Sequence, residues 1–162
     1  MADQLEEAGG ITTSEDGTLR VLIIDDEECI RDSLAIYLND LGIDVFVAEN
    51  PSQCNVFTKK SCEHEHPCAD LMLIDHNMPE VLGLEFIRKQ SESRCKLLPE
   101  NRVVMSGTVT PEMLAEAKKL GCMLVQKPFS FTLLDSILEE ARQRLSPHRV
   151  LVDIPEEHKF RF

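Results

Sequence analysis

Four short apolar runs punctuate the chain, and each leads into a residue with chemistry to offer. Val21-Leu22-Ile23-Ile24 ends on Asp25 and Asp26, and Leu71-Met72-Leu73-Ile74 ends on Asp75. Val103-Val104-Met105 ends on Ser106, and Met123-Leu124-Val125 is followed closely by Lys127. Uninterrupted apolar runs of this length, bounded by turns, predict strands buried on both faces, as parallel strands are. Val45-Phe46-Val47 predicts a fifth, shorter strand.

Between these runs the spacing changes to that of helices. Ile30, Leu34, Leu38 and Leu41 make the first apolar stripe, with Gly42 as its stop. Asn50-Pro51 reads as an N-cap and first-turn proline opening a weak second helix, whose apolar content is Cys54, Val56 and Phe57. Gly83 precedes a third helix with Leu84, Phe86 and Ile87 facing inward. Thr110 and Pro111 open a fourth, with Met113, Ala117 and Leu120 as its stripe and Gly121 at its end. Ser130 caps a fifth, carrying Leu134, Ile137, Leu138 and Ala141. This alternation predicts an α/β fold, a (βα)5 doubly wound five-stranded parallel sheet with right-handed crossovers covering both faces.

In open parallel sheets the carboxyl ends of the strands line the crevice where ligands bind. Asp25, Asp26, Asp75, Ser106 and Lys127 are therefore expected to meet there. Paired carboxylates are hard oxygen ligands of the kind Mg2+ prefers. A hydroxyl and an ammonium beside them suit a phosphoryl group, whose transfer depends on positioning and charge neutralisation. Asp26 has a competing reading as a simple helix N-cap.

Bulk composition narrows the field. A chain of 162 residues suits one domain. A net charge of −12 argues against a non-specific grip on nucleic acid, which needs basic residues to neutralise phosphates. Residues 1–17 hold five acids and no base, with little apolar content, and are expected to form a flexible N-terminal tail. The acidic start lacks the apolar core of a secretory signal, and no run approaches the roughly 20 apolar residues of a membrane span. The expected location is the cytoplasm, where six cysteines would be scattered buried thiols rather than disulfides.

Taken together, Val21 to Glu28, Leu73 to Pro79 with Gly83, Val103 to Gly107, and Lys127-Pro128-Phe129 resemble the receiver domain of response regulators, over residues 18–145. The resemblance implies a flavodoxin-like strand order 2-1-3-4-5 and a phosphorylation switch in a two-component system or phosphorelay. Asp75 would be both phosphoacceptor and metal ligand, with Asp25, Asp26 and the backbone carbonyl of Asn77 completing a Mg2+ site. Lys127 would pair with a phosphoryl oxygen, or with Asp75 before phosphorylation. Ser106 would donate its hydroxyl to the phosphoryl group, and Pro128 would follow a cis bond. Asn77 and Thr108 would flank the attacking water in acyl-phosphate hydrolysis. The position of Leu124 often carries an aromatic switch residue in this family, so that device is absent here.

A histidine kinase or phosphotransfer protein would be the phosphoryl donor. A target protein would read the surface near the fourth helix and fifth strand, and the resemblance leaves a homodimer open. Chemistry would be limited to self-phosphorylation and self-dephosphorylation at Asp75. Two other readings compete. One is a phosphorylation-independent adaptor that keeps the receiver fold. The other is an aspartate-nucleophile phosphatase, which needs a second acid two residues after the nucleophile, where this chain has Asn77.

Two segments stand outside this scheme. Cys62, His64, His66 and Cys68 could bind zinc if their loop curls, although ligands at spacing two splay apart on extended chain. Residues 146–162 are too few for an output domain. They either fold back on the domain or form a partner-binding or dimer-forming extension.

Overall fold

The computed structural model describes residues 11–13, 17–54 and 61–160. In chain order these form β1 (Ile11–Thr13), β2 (Arg20–Ile24), α1 (Glu28–Asp40), β3 (Asp44–Ala48), β4 (Leu71–Asp75), α2 (Gly83–Glu92), β5 (Arg102–Ser106), α3 (Pro111–Leu120), β6 (Met123–Gln126), α4 (Phe131–Arg144) and β7 (Val150–Val152). Strands β2 to β6 make one parallel sheet in the order β3-β2-β4-β5-β6. Counting only its own strands, that is the predicted order 2-1-3-4-5.

Alternate residues of each strand enter different cores, as the pleat requires. Val21, Ile23, Leu71, Leu73, Val103 and Met105 pack against Leu34, Ala35 and Leu38 of α1 and the Leu134, Ile137, Leu138, Ala141 stripe of α4. Ile24, Met72, Ile74 and Val104 turn to the other face, where Leu84, Phe86 and Ile87 of α2 and Ala117 of α3 cover them. Fully apolar strands are thus explained by helices on both sides.

The helix boundaries follow from their caps. Thr110 Oγ1 accepts from the Met113 N–H at 3.2 Å and Ser130 Oγ from the Leu133 N–H at 3.1 Å. Gly121 ends α3 in the left-handed region, at φ 71°. Leu41 departs from the expected stripe: α1 stops at Asp40, and Leu41 is 52% exposed. Of the expected second helix, the described residues form a 3-10 turn over Pro51–Gln53, capped by Asn50 and followed by an extended Cys54. Val56 and Phe57 lie outside the described residues, as do residues 1–10, 14–16 and Phe162.

The described parts of both extensions are paired rather than free. Of the segment expected to be a flexible tail, Ile11–Thr13 pairs antiparallel with Val150–Val152. Further on, the Phe160 N–H donates to Val45 O at 2.9 Å, and Lys159 bridges Phe46. The C-terminal segment therefore lies along β3, the edge of the sheet, where it covers unpaired backbone groups. Of the two readings of residues 146–162, folding back is what the described part does.

Candidate functional site

Because all five strands of the sheet run the same way, their last residues share one rim. Asp25 follows β2, Asp75 ends β4, Ser106 ends β5, and Lys127 follows β6. Asp25 is fully buried and Asp75 almost so, whereas Asp26 is exposed. Carboxylate oxygens of the three acids lie within 4.8 Å of one another, the only such group of metal-ligating side chains among the described residues. Asp26 is not a helix cap: Glu27 holds that position, and the Glu27 N–H donates to Asp25 Oδ1 at 2.9 Å.

Lys127 reaches across from the far side of the sheet. Its Nζ donates to Asp25 Oδ2 at 2.8 Å and to Asp75 Oδ1 at 3.1 Å. The resemblance implies the bond to Asp75; the shorter bond to Asp25 is an addition. Burial pushes the Asp75 carboxyl above its ordinary range, the charge of Asp25 and contact with Asp26 add to that, and Lys127 opposes it. Burial alone would pull Lys127 down, but the two carboxylates outweigh it and hold the ammonium above its usual value. The site is thus an acid cluster with one cation too few, which is the electrostatic condition for taking up a divalent ion.

Ser106 is buried, and its hydroxyl is already engaged. It donates to Thr108 O at 2.7 Å and accepts from the Thr108 N–H at 3.3 Å. The Lys127–Pro128 peptide is cis, and the Lys127 N–H donates to Ser106 O at 2.7 Å. Thr108 therefore sits in the turn that holds the Ser106 hydroxyl, and Leu124 pairs with Val104 across β5 and β6.

The loop after Asp75 is fastened at three points. The His76 N–H donates to Met105 O at 2.8 Å, the Gly83 N–H to His76 O at 2.9 Å, and Asn77 bridges Leu82. Gly83 is required by crowding: a Cβ there would lie 2.7 Å from Asp75 O and 2.9 Å from His76 Cα.

The receiver domain model of response regulators matches residues 21–139. The chain belongs to that family. Phosphorylation and Mg2+ binding are general features of receiver domains. This one is 31% identical over 130 residues to sporulation initiation phosphotransferase F of Bacillus subtilis, an alignment covering 78% of the chain and 93% of the relative. It is 28% identical over 134 residues to the transcriptional regulatory protein FixJ of Rhizobium meliloti, covering 82% of the chain but 59% of FixJ. The solved structure of FixJ-N superposes with a TM-score of 0.61 at 26% identity, covering 79% of this chain and 96% of that one.

Two residues beside the site of this receiver domain escaped sequence reasoning. Arg31 is buried, and its Nη1 donates to the Asp25 carbonyl at 2.7 Å, bracing the acid pair from α1. The signal was available, since Arg31 stands three residues before Leu34 on the core-facing side. His76 is buried and accepts a long 3.4 Å bond at Nδ1 from the Leu84 N–H, while burial lowers its pKa and keeps the imidazole neutral.

The expected zinc set does not assemble. Cys62, His64, His66 and Cys68 all line a cavity, and among the described residues they form no ligand group with the spacing the acids have. The loop is fastened near both ends, by the Cys62 N–H on Ser93 O at 2.8 Å and the Val152 N–H on Pro67 O at 3.0 Å. All six cysteines are free, as expected, but none is fully buried: Cys29 is exposed and the other five are half-buried, with Cys54, Cys95 and Cys122 packed against the core. No helix among the described residues is long and apolar enough to cross a membrane.

Proposed function

We propose that the protein is a phosphoacceptor switch in which Asp75 takes a phosphoryl group from a histidine kinase or phosphotransfer protein. The observation that carries this reading is the shared cation: Lys127 bonds both Asp25 and Asp75 in a pocket that also presents Asp26. An Asp75 oxygen attacks the phosphorus of a phosphohistidine, the P–N bond breaks, and the leaving imidazole takes up a proton. The carboxylate becomes an acyl phosphate. A Mg2+ ion held by Asp25, Asp26, Asp75 and the Asn77 carbonyl would supply positive charge against the phosphoryl oxygens. The acid set fits that ion, being rich in hard oxygen and short of positive charge.

Lys127 then exchanges its bond to Asp75 for one to a phosphoryl oxygen while keeping Asp25. Ser106 turns its hydroxyl from Thr108 O to the phosphoryl group. That exchange frees the Thr108 carbonyl and shifts the balance of the turn leading to Thr110, the cap of α3. The readout surface is accordingly α3 and β6, read by a target protein. Such a switch works only through contacts that differ between the two states. With Leu124 in place of an aromatic, the message passes through the turn rather than through a swinging ring. A cytoplasmic setting and a target other than nucleic acid fit the acidic charge.

The reading is tested by incubating the protein with acetyl phosphate and Mg2+ and recording intact mass. One added phosphoryl group is expected on the wild type, and none after Asp75→Asn or without Mg2+. Phosphorylation that survives Asp75→Asn would overturn it.

A further inference from the structure

Asp25 is gripped at every polar atom. Its N–H donates to Ala48 O at 3.1 Å, its Oδ1 accepts from the Glu27 N–H at 2.9 Å, and its Oδ2 accepts from Lys127 Nζ at 2.8 Å. The remaining contact comes from α1, where Arg31 Nη1 donates to the Asp25 carbonyl at 2.7 Å. Arg31 is 9% exposed, and burying a guanidinium is costly unless its head is well paired. Its carboxylate neighbour, Glu49, lies 3.9 Å from Nη2 and is mostly in solvent, where such a pair stabilises little. The short bond to the Asp25 carbonyl is therefore the contact that matters.

That carbonyl belongs to the peptide unit joining Asp25 to Asp26. A peptide unit is planar and resists twisting, so fixing its oxygen also fixes the Asp26 nitrogen and Cα. Asp26 needs such an anchor more than its neighbours do. It is the exposed member of the three acids, whereas Asp25 and Asp75 are buried. The Lys127 salt bridges go to the other two. The Asp26 side chain meets Asp75, and two carboxylates repel unless a proton or a cation lies between them.

We propose that Arg31 is a positioning residue for the metal site: by locking the Asp25–Asp26 peptide, it holds the Asp26 carboxylate in the space that Asp25 and Asp75 share. The inference rests on the Mg2+ site of the phosphoacceptor reading and adds the residue that orients it. Arg31 acts without entering that site. Its bond ends on a backbone oxygen, so it takes no carboxylate oxygen from the ion, as a second lysine beside Lys127 would. A planar guanidinium suits the task, because one nitrogen holds the carbonyl while the other turns toward Glu49, next to the end of β3. Groups that orient metal ligands from outside the ligand set contribute strongly to affinity.

Calorimetric titration of the metal-free full chain with Mg2+ tests this apart from phosphorylation. Arg31→Met keeps an apolar stem and removes the donor, and its Mg2+ affinity should fall about ten-fold. Arg31→Lys, which retains one donor without the fork, should lose only about three-fold. Glu49→Gln should stay within about two-fold of wild type. The deciding comparison is the double variant. With Asp26→Asn in place, adding Arg31→Met should cost less than about two-fold more, because the carboxylate it positions is gone; a merely structural arginine would cost the same in either background. If Arg31→Met does not melt cooperatively, Arg31→Lys carries the same comparison, and its loss should vanish beside Asp26→Asn. An Mg2+ affinity that neither Arg31 substitution changes, or a loss that persists beside Asp26→Asn, would overturn the proposal. Mg2+ binding with the expected pattern but no phosphorylation by acetyl phosphate would support it while removing the phosphoacceptor reading. A wild type that binds no Mg2+ would overturn both.

Discussion

Arg149 clamps Asp70 with two guanidinium nitrogens: Nη2 lies 2.7 Å from Oδ2 and Nε pairs with Oδ1. Asp70 immediately precedes β4, the strand that ends on the proposed phosphoacceptor, and it is 1% exposed. The same carboxylate accepts from the Arg20 N–H at 2.8 Å, and the Arg20 Nη1 donates to Val152 O at 2.5 Å. The C-terminal segment is thereby tied to the starts of β2 and β4, at the end of the sheet opposite the acid cluster.

Removing Arg149 should therefore destabilise the whole domain rather than fray its terminus. Arg149→Met leaves the Asp70 carboxylate buried with only the Arg20 N–H, and breaking a buried pair from one side costs roughly 3–5 kcal/mol. Partial exposure of Arg149 brings the expected loss below that range, to about 2–3 kcal/mol. Urea denaturation checks it. A loss under about 0.5 kcal/mol would mean the clamp is ornamental.

Asp75→Asn should raise the melting temperature of metal-free protein at neutral pH. The Asp75 carboxyl titrates above its ordinary value when folded, so between the two values the native state holds more protons than the unfolded chain. Its contribution is fully favourable below the unfolded value and is lost as pH rises through the folded one. The advantage of the substitution should thus be absent near pH 3, grow through the acid range and level off by neutrality. Melting curves at several pH values without divalent ions decide it.

Mg2+ should stabilise the protein, and acid should weaken that effect. Protons compete with the ion for Asp75, whose raised value makes the competition start at higher pH than for an ordinary carboxylate. At ten times its dissociation constant the ion adds about 1.4 kcal/mol. Asp25→Asn should remove most of that gain. A Mg2+ affinity unchanged from about pH 4 to 8 would contradict a shared carboxylate site.

Gly83→Ala should disturb the site without touching a single charged group. The added methyl meets backbone at Asp75 O and His76, and neither atom can swing aside. Overpacking of this kind costs roughly 1–3 kcal/mol. Because the displaced loop carries Asn77, Mg2+ affinity should fall together with stability, which parallel metal titration and denaturation would reveal.

Local pattern determined much of this molecule. The apolar runs specified strands buried on both faces, and Thr110, Ser130, Gly42 and Gly121 set helix ends because caps act within one turn. Asp25, Asp26, Asp75, Ser106 and Lys127 could be named from sequence because parallel strands bring all their carboxyl ends to one rim, whatever the side-chain details. Tertiary structure alone decided which partners meet at long range. That Lys127 bonds Asp25 and that Arg149 crosses back to Asp70 depend on the return path of the chain. Helical or strand periodicity carries no record of that path. It follows from how two packed faces and two paired extensions fill space together, where burial and charge first acquire their energetic meaning.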